Sequence, residues 1–305
     1  MIRQEKRKTS SSLYQTCLTY FAKNLNLFCT NIDGNSLNFK DNSLKLNGTI
    51  SDDLIEKLGE LNNLNDLSLS LFKSKQTCLR NIKIKNARLK KSTLKLLKEH
   101  FIEELTLNHL TTLPSTKKSS SIGNIPVEDV NETITFNDLI ESLNNETKLN
   151  IHLLDISFNS SLFTCINQEI KCFKNLSRLN VSYTNFNNHS LDLIANELEN
   201  LEMLDISATR VCNLQSLLKI KNKLRYLIMY NLKASLSAEM ISIIANLDNL
   251  VVLDLSTDTP TQLFADMYLN KLDINKFLVE TQSSFLDLQR LDISAQTEVN
   301  EKILM

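Results

Sequence analysis

Leu176-Ser177-Arg178-Leu179-Asn180-Val181-Ser182 and, 25 residues later, Leu201-Glu202-Met203-Leu204-Asp205-Ile206-Ser207 decide how this chain reads. Both place apolar residues at the first, fourth and sixth positions. The same spacing returns at Ile151–Leu154–Ile156, Leu224–Leu227–Met229, Leu250–Leu253–Leu255 and Leu288–Leu291–Ile293. Measured between fourth positions the steps are 25, 25, 23, 26 and 38 residues, so one unit recurs in tandem with a single long interval. Weaker copies stand earlier, at Leu64–Leu67–Leu69, Leu79–Ile82–Ile84 and Ile102–Leu105–Leu107.

A period of roughly 20–29 residues built on L-x-x-L-x-L is that of the leucine-rich repeat. Between the copies, Leu191, Ile194, Ala195 and Leu198, and again Met240, Ile243, Ile244 and Leu247, recur with helical spacing. The expectation is therefore an α/β leucine-rich-repeat solenoid, one strand and one helix per repeat, with a parallel sheet on the concave side. A single unit cannot bury its apolar side alone, so each interior leucine, worth about 1.5–3 kcal/mol when buried, depends on the neighbouring repeats. Leu105 and Leu154 are 49 residues apart. The stretch between them at 111–133 is Ser-rich, holds Pro114 and Pro126, and reads as a flexible insertion. Helical spacing resumes at Phe136, Leu139, Ile140 and Leu143 behind a capping pair, Thr135 and Asp138. The long last step implies an extended connection through Phe264 to Leu278. The division that follows is a flexible basic tail at 1–10, a helical region at 11–62 and a repeat domain at 63–305.

Composition narrows the function. In 305 residues, 34 Lys+Arg stand against 35 Asp+Glu, a net charge of −1 that argues against a phosphate backbone as partner. No window offers the roughly 18 uncharged apolar residues of a membrane span, and Met1–Thr9 lacks the apolar stretch of a secretory signal. With 4 Gly, 3 Pro and no Trp, the many Asn and Ser residues must supply the turns. The six cysteines are scattered through apolar segments, the pattern of buried reduced thiols, which implies a cytoplasmic or nuclear setting. The four glycines fit neither a phosphate-cradling loop nor a nucleophile elbow, and the histidines form no metal-binding pair. No cofactor, metal or catalytic activity is expected.

Strand alternation turns the fifth and seventh positions toward solvent. The fifth reads Asp155, Asn180, Asp205, Ile228, Asp254 and Asp292; the seventh reads Ser157, Ser182, Ser207, Tyr230, Ser256 and Ser294. Carboxylates on strands about 4.8 Å apart repel, so something should compensate them. The column either solvates the sheet or receives a basic partner surface, with Arg178, Tyr226 and Arg290 at the third position adding specificity. Ile228 and Tyr230 interrupt both columns and are the hot-spot candidates.

Near the amino terminus, Leu13, Cys17, Phe21 and Leu25 recur every fourth residue, an apolar helical stripe suited either to capping the first repeat or to lying in a partner's groove. Ser12-Leu13-Tyr14-Gln15-Thr16-Cys17-Leu18-Thr19-Tyr20-Phe21 resembles an elongin-binding box. Ile50-Ser51-Asp52-Asp53-Leu54-Ile55-Glu56-Lys57-Leu58 resembles a cullin-two box, with Ser51 where that pattern has proline. Ser51 is expected to be the N-cap. Both boxes, in this order and ahead of repeats ending in Leu-Asp-Ile-Ser, resemble the Zyg-eleven/Zer-one family of substrate receptors for cullin-two ubiquitin ligases. The resemblance implies docking of elongin C, with elongin B, through Leu13, Cys17 and Phe21. It implies cullin-two choice through Ile50, Leu54 and Leu58, and capture of an unknown protein substrate. The armadillo-like domain of that family has no counterpart before Met305, and the bare last repeat suggests a truncated chain. A general repeat scaffold explains the repeats without the boxes. A secreted receptor, suggested by the glycosylation-type triplets at Asn47, Asn131, Asn145, Asn159, Asn175, Asn180 and Asn188, would need the missing signal and paired cysteines.

Overall fold

A computed structural model describes residues 12–73, 75–112, 134–159, 166–232, 237–257 and short stretches between 277 and 294. The tail at 1–10, most of the 111–133 insertion and nearly all of the connection at 264–278 lie outside the described residues.

The amino-terminal region begins with α1 (Leu13–Lys23), whose N-cap Ser12 accepts from the Gln15 amide. A short α2 (Leu25–Phe28) leads into an antiparallel pair, β1 (Cys29–Asn31) and β2 (Leu37–Phe39). Helix α3 (Gly48–Glu60) follows. Its N-cap is Asn47, which accepts from the Ile50 amide, and not Ser51. Ser51 is fully buried one turn into the helix, where its hydroxyl donates to the Leu46 carbonyl and accepts from the Cys78 amide. The weak copy at Leu64–Leu67–Leu69 is not a strand. Asn65 and Ser68 form a capping box that starts α4 (Asp66–Leu69), which tightens into a 3-10 turn at Ser70–Lys73.

Among the described residues, eight parallel strands stack in chain order: β3 (Asn81–Lys85), β5 (Glu104–Asn108), β7 (Leu153–Asp155), β8 (Arg178–Asn180), β9 (Met203–Asp205), β10 (Tyr226–Ile228), β11 (Val252–Asp254) and β12 (Arg290–Asp292). Two shorter segments, β4 (Arg88–Leu89) and β6 (Thr111–Thr112), pair beside them. The fourth positions lie side by side along the stack, Ile82, Leu105, Leu154, Leu179, Leu204, Leu227, Leu253 and Leu291. Strands β5 and β7 therefore pair directly across their 49-residue interval, as β11 and β12 do across 38.

The returns are less regular than one helix per repeat. Helices α5 (Phe136–Glu141), α6 (Asn145–Asn150), α7 (Asn188–Glu197) and α8 (Ala238–Ala245) supply some, and 3-10 segments at Lys91–Glu99, Gln168–Cys172 and Gln215–Lys219 supply others. A 3-10 helix rises about 2.0 Å per residue against about 1.5 Å for an α-helix, so it spans the back of a short repeat with fewer residues. Thr135 and Asp138 form the expected capping box of α5.

First, fourth and sixth positions fill one continuous core; Leu179, Leu204 and Leu227 are essentially inaccessible. The asparagines do more than turn the chain. Asn175, Asn200 and Asn249, each just before a first-position leucine, donate to the carbonyls of Leu149, Lys174 and Asn222 in the preceding repeat. Buried Asn159 accepts from the Leu110 amide and donates to the Leu107, Ile156 and Ser157 carbonyls, stitching β5 to β7. At the first edge, Asp52 of α3 accepts from the Arg80 and Asn81 amides, closing β3 against further pairing.

Candidate protein-interaction surfaces

The open face of the sheet is formed by third and fifth positions. At four of the six copies the seventh does not reach solvent as alternation would have it, since Ser157, Ser182, Ser207 and Ser256 are buried, while Tyr230 is half-buried and Ser294 is exposed. From β7 onward the strands are only three residues long, and the backbone turns away after the fifth position. The next residues, Phe158, Tyr183, Ala208 and Asn231, all have φ between 50° and 59°.

That turn is what compensates the acidic column. Asp155, Asn180, Asp205, Asp254 and Asp292 each accept from the amide two residues on, at 2.9–3.1 Å. The Ser207, Ser256 and Ser294 hydroxyls add a second bond to their own aspartates. Neutral Asn180 and Ile228 also separate the acids along the register, so only Asp254 and Asp292 are direct neighbours. Burial still pushes the Asp205 carboxyl up against its Ser207 bonds, and Asp155 and Asp254 add to the rise. Asp292 is held below the usual range, chiefly by the Ser294 hydroxyl and amide.

The third positions read Glu104, Leu153, Arg178, Met203, Tyr226, Val252 and Arg290. Glu104 takes a hydrogen bond from Arg178 at 2.6 Å and contacts His152 Nε2 at 3.1 Å. Burial raises its carboxyl, but those two partners outweigh it and hold the group below its ordinary value. Beside this trio lies a depression of about 390 Å³ lined by His152, Ser177, Arg178, Glu202, Met203 and Tyr226. Tyr226, Ile228 and Tyr230 are all half-buried, and Arg290 is exposed with Asp292 at 3.5 Å. Where the strands exit, His109, Phe158 and Tyr183 stack at centroid distances of 5.3 and 4.4 Å. Neither the trio nor the ladder was read from the sequence; Phe158 and Tyr183, aromatic at equal offsets in successive copies, were its one visible trace.

At the amino terminus the box-like residues part company. Leu13 is 81% exposed and Cys17 is exposed, on the side of α1 away from buried Leu18 and Ala22. Phe21 is half-buried and stacks on Phe28 at 4.6 Å. Tyr14 donates to Asp53 at 2.6 Å, tying α1 to α3, and burial followed by this bond pushes its phenol up to about 12. In α3, Ile50 is half-buried, but Leu54 and Leu58 are at most 1% exposed and belong to the core. As folded, neither can touch a cullin; their four-residue spacing is that of a helix facing the first repeat. The thiols also depart from expectation, since among the described cysteines only Cys29 is buried, its pKa pushed by burial to about 11, while Cys17, Cys78 and Cys212 are exposed. All five described cysteines are free, and Cys165 lies outside the described residues. Among the described residues no metal-binding cluster occurs, and no helix is long and apolar enough to cross a membrane.

In-register parallel strands with apolar first, fourth and sixth positions and an open, mixed-charge face define a leucine-rich-repeat protein-interaction solenoid. Residues 192–302 match the family described as Zer-1-like leucine-rich repeats. Gastrulation-defective protein 3 of Caenorhabditis elegans is 25% identical over 228 residues, 74% of this chain. The chain spans 29% of the length of that relative. Both findings make its repeats similar to those of the Zyg-eleven/Zer-one leucine-rich-repeat family. Among solved structures, a leucine-rich-repeat protein of Leptospira interrogans is 17% identical, covering 84% of this chain and 71% of that one with a TM-score of 0.37. An internalin of Listeria monocytogenes is 13% identical, covering 79% and 77% with a TM-score of 0.32. These likenesses add nothing to what the strand order defines.

Proposed function

We propose that the chain is a non-catalytic adaptor that docks a cullin-two ubiquitin ligase through elongin C, with elongin B, and holds a protein substrate or further partner on its repeats. One observation carries this reading. Helix α1 is anchored through Leu18 and Ala22 while Leu13 and Cys17 stand in solvent, and Tyr14, Tyr20 and Leu27 nearby are also exposed. A helix serving only as a cap would keep its apolar residues against the repeats; an unpartnered apolar stripe on a fixed helix suits a partner's groove. For cullin-two the support is thinner, since Ile50 alone of the three box-like residues reaches solvent. The cytoplasm or nucleus is where such a ligase works.

Capture of purified elongin B–elongin C by the wild type, compared with Leu13→Ala plus Cys17→Ala, tests the proposal. Both substitutions are on the exposed side, so circular dichroism and thermal unfolding are expected to stay unchanged while capture falls at least tenfold. Failure of the wild type to capture the pair refutes ligase docking and leaves a general repeat scaffold.

A further inference from the structure

On β7 through β11 the fold leaves acids without a counter-charge. Glu104 is matched by Arg178, and Asp292 by Arg290. Asp155, Glu202, Asp205 and Asp254 have no ion-pair partner among the described residues. Arg225 at the entry to β10 is the one unpaired cation on these strands among the described residues.

The depression described above sits in this field. Its Arg178 and His152 side chains are engaged with Glu104, which leaves the Tyr226 ring, the Met203 thioether and the Glu202 carboxylate as the surfaces open to a ligand. Tyr226 and Met203 are register partners on adjacent strands, and Asp205 lies two residues beyond Met203 on the same face. An aromatic ring next to a flexible apolar side chain accepts a methylene stem and, over the ring, a cation; a carboxylate at the rim pairs with its head. We propose that this depression takes an arginine or lysine side chain from an extended basic segment of a partner protein. The stem lies against Met203 and Tyr226 and the head meets Glu202, while Asp205 and Asp155 receive further basic residues of the same segment. The inference rests on the repeat face being a protein-binding surface and is independent of elongin docking.

The test is fluorescence anisotropy at low salt with labelled dodecapeptides made of four Arg-Ser-Gly, four Lys-Ser-Gly or four Glu-Ser-Gly units. The basic peptides bind, more weakly as salt is raised, and the acidic one does not. Tyr226→Ala and Glu202→Gln each weaken binding about tenfold, Tyr226→Phe keeps it, and Glu141→Gln, an exposed acid on α5, changes it less than twofold. Leu13→Ala plus Cys17→Ala leaves peptide binding intact, which separates this result from the fate of ligase docking. Equal losses for Glu202→Gln and Glu141→Gln would reduce the effect to net charge and overturn the proposal, as would comparable binding of the acidic peptide or no binding of the basic ones at millimolar concentration.

Discussion

Asn159 and Asp205 are polar residues that the same backbone turn treats in opposite ways. Asn159 is 1% exposed and makes four hydrogen bonds, three as donor and one as acceptor. Asn159→Leu strands the Leu110 amide and the Leu107 carbonyl in the core, at roughly 1–3 kcal/mol for each buried group left unpaired. Urea unfolding is expected to show a loss of about 3 kcal/mol, whereas Asn175→Ala, at an exposed staple, costs about 1 kcal/mol. For His100, burial holds the imidazole below its ordinary 6.5, its Nδ1 accepting from the Leu79 amide and its Nε2 meeting the Phe72 carbonyl at 2.6 Å. Below 6.5 the unfolded chain binds a proton that the folded chain still refuses, so stability falls as pH drops from 7 through 6.5 toward the folded value. Asp205 acts with the opposite sign, because its raised folded pKa favours the native state as pH falls toward 3.8. Stability measured between pH 7 and 5.5 should decline for the wild type and decline less steeply for His100→Gln; equal slopes would remove His100 as the cause.

Helix α3 shows what the sequence made legible and what it hid. Its amphipathic spacing was plain although its start was misplaced at Ser51, and one apolar stripe at four-residue intervals suits both a docking face and a core face. What decided between them was Asp52, whose carboxylate caps the Arg80 and Asn81 amides and so turns Leu54 and Leu58 inward. That bond spans 28 residues and leaves no local trace in the chain. The strands from Leu79 to Ile293 were readable because every copy repeats the same buried positions; Leu64–Leu67–Leu69 misled because its Asn65–Ser68 capping box outweighs the leucine spacing. The acidic column was legible as residues and misjudged as geometry, since alternation stops when a three-residue strand ends. Leu58→Ala is expected to cost about 2–5 kcal/mol, the range for a leucine cut out of a packed interior. Leu13→Ala should change stability by less than about 0.5 kcal/mol. Equal costs in chemical denaturation would mean that α1 packs by its other side.

Across the whole molecule, stability is distributed along one axis, because each repeat meets the core only through its neighbours. The fourth-position column from Ile82 to Leu291 is continuous, yet the asparagine staples each cross a single repeat boundary, Asn175 to Leu149, Asn200 to Lys174 and Asn249 to Asn222, and the Glu104–Arg178 pair reaches one strand further. Coupling of this nearest-neighbour kind makes damage local before it is global. Leu204→Ala, in the middle of the stack, is expected to remove about 3 kcal/mol. Hydrogen exchange should then quicken first in β8, β9 and β10, on both sides of the lesion, while amides of α1 and α3 keep their protection. The amino-terminal region has its own ties to the first strand through Asp52 and, via Ser51, the Cys78 amide, so it can outlast the central repeats. A uniform quickening from α1 to β12 would instead identify a single cooperative unit, in which the docking helix and the repeat face stand or fall together.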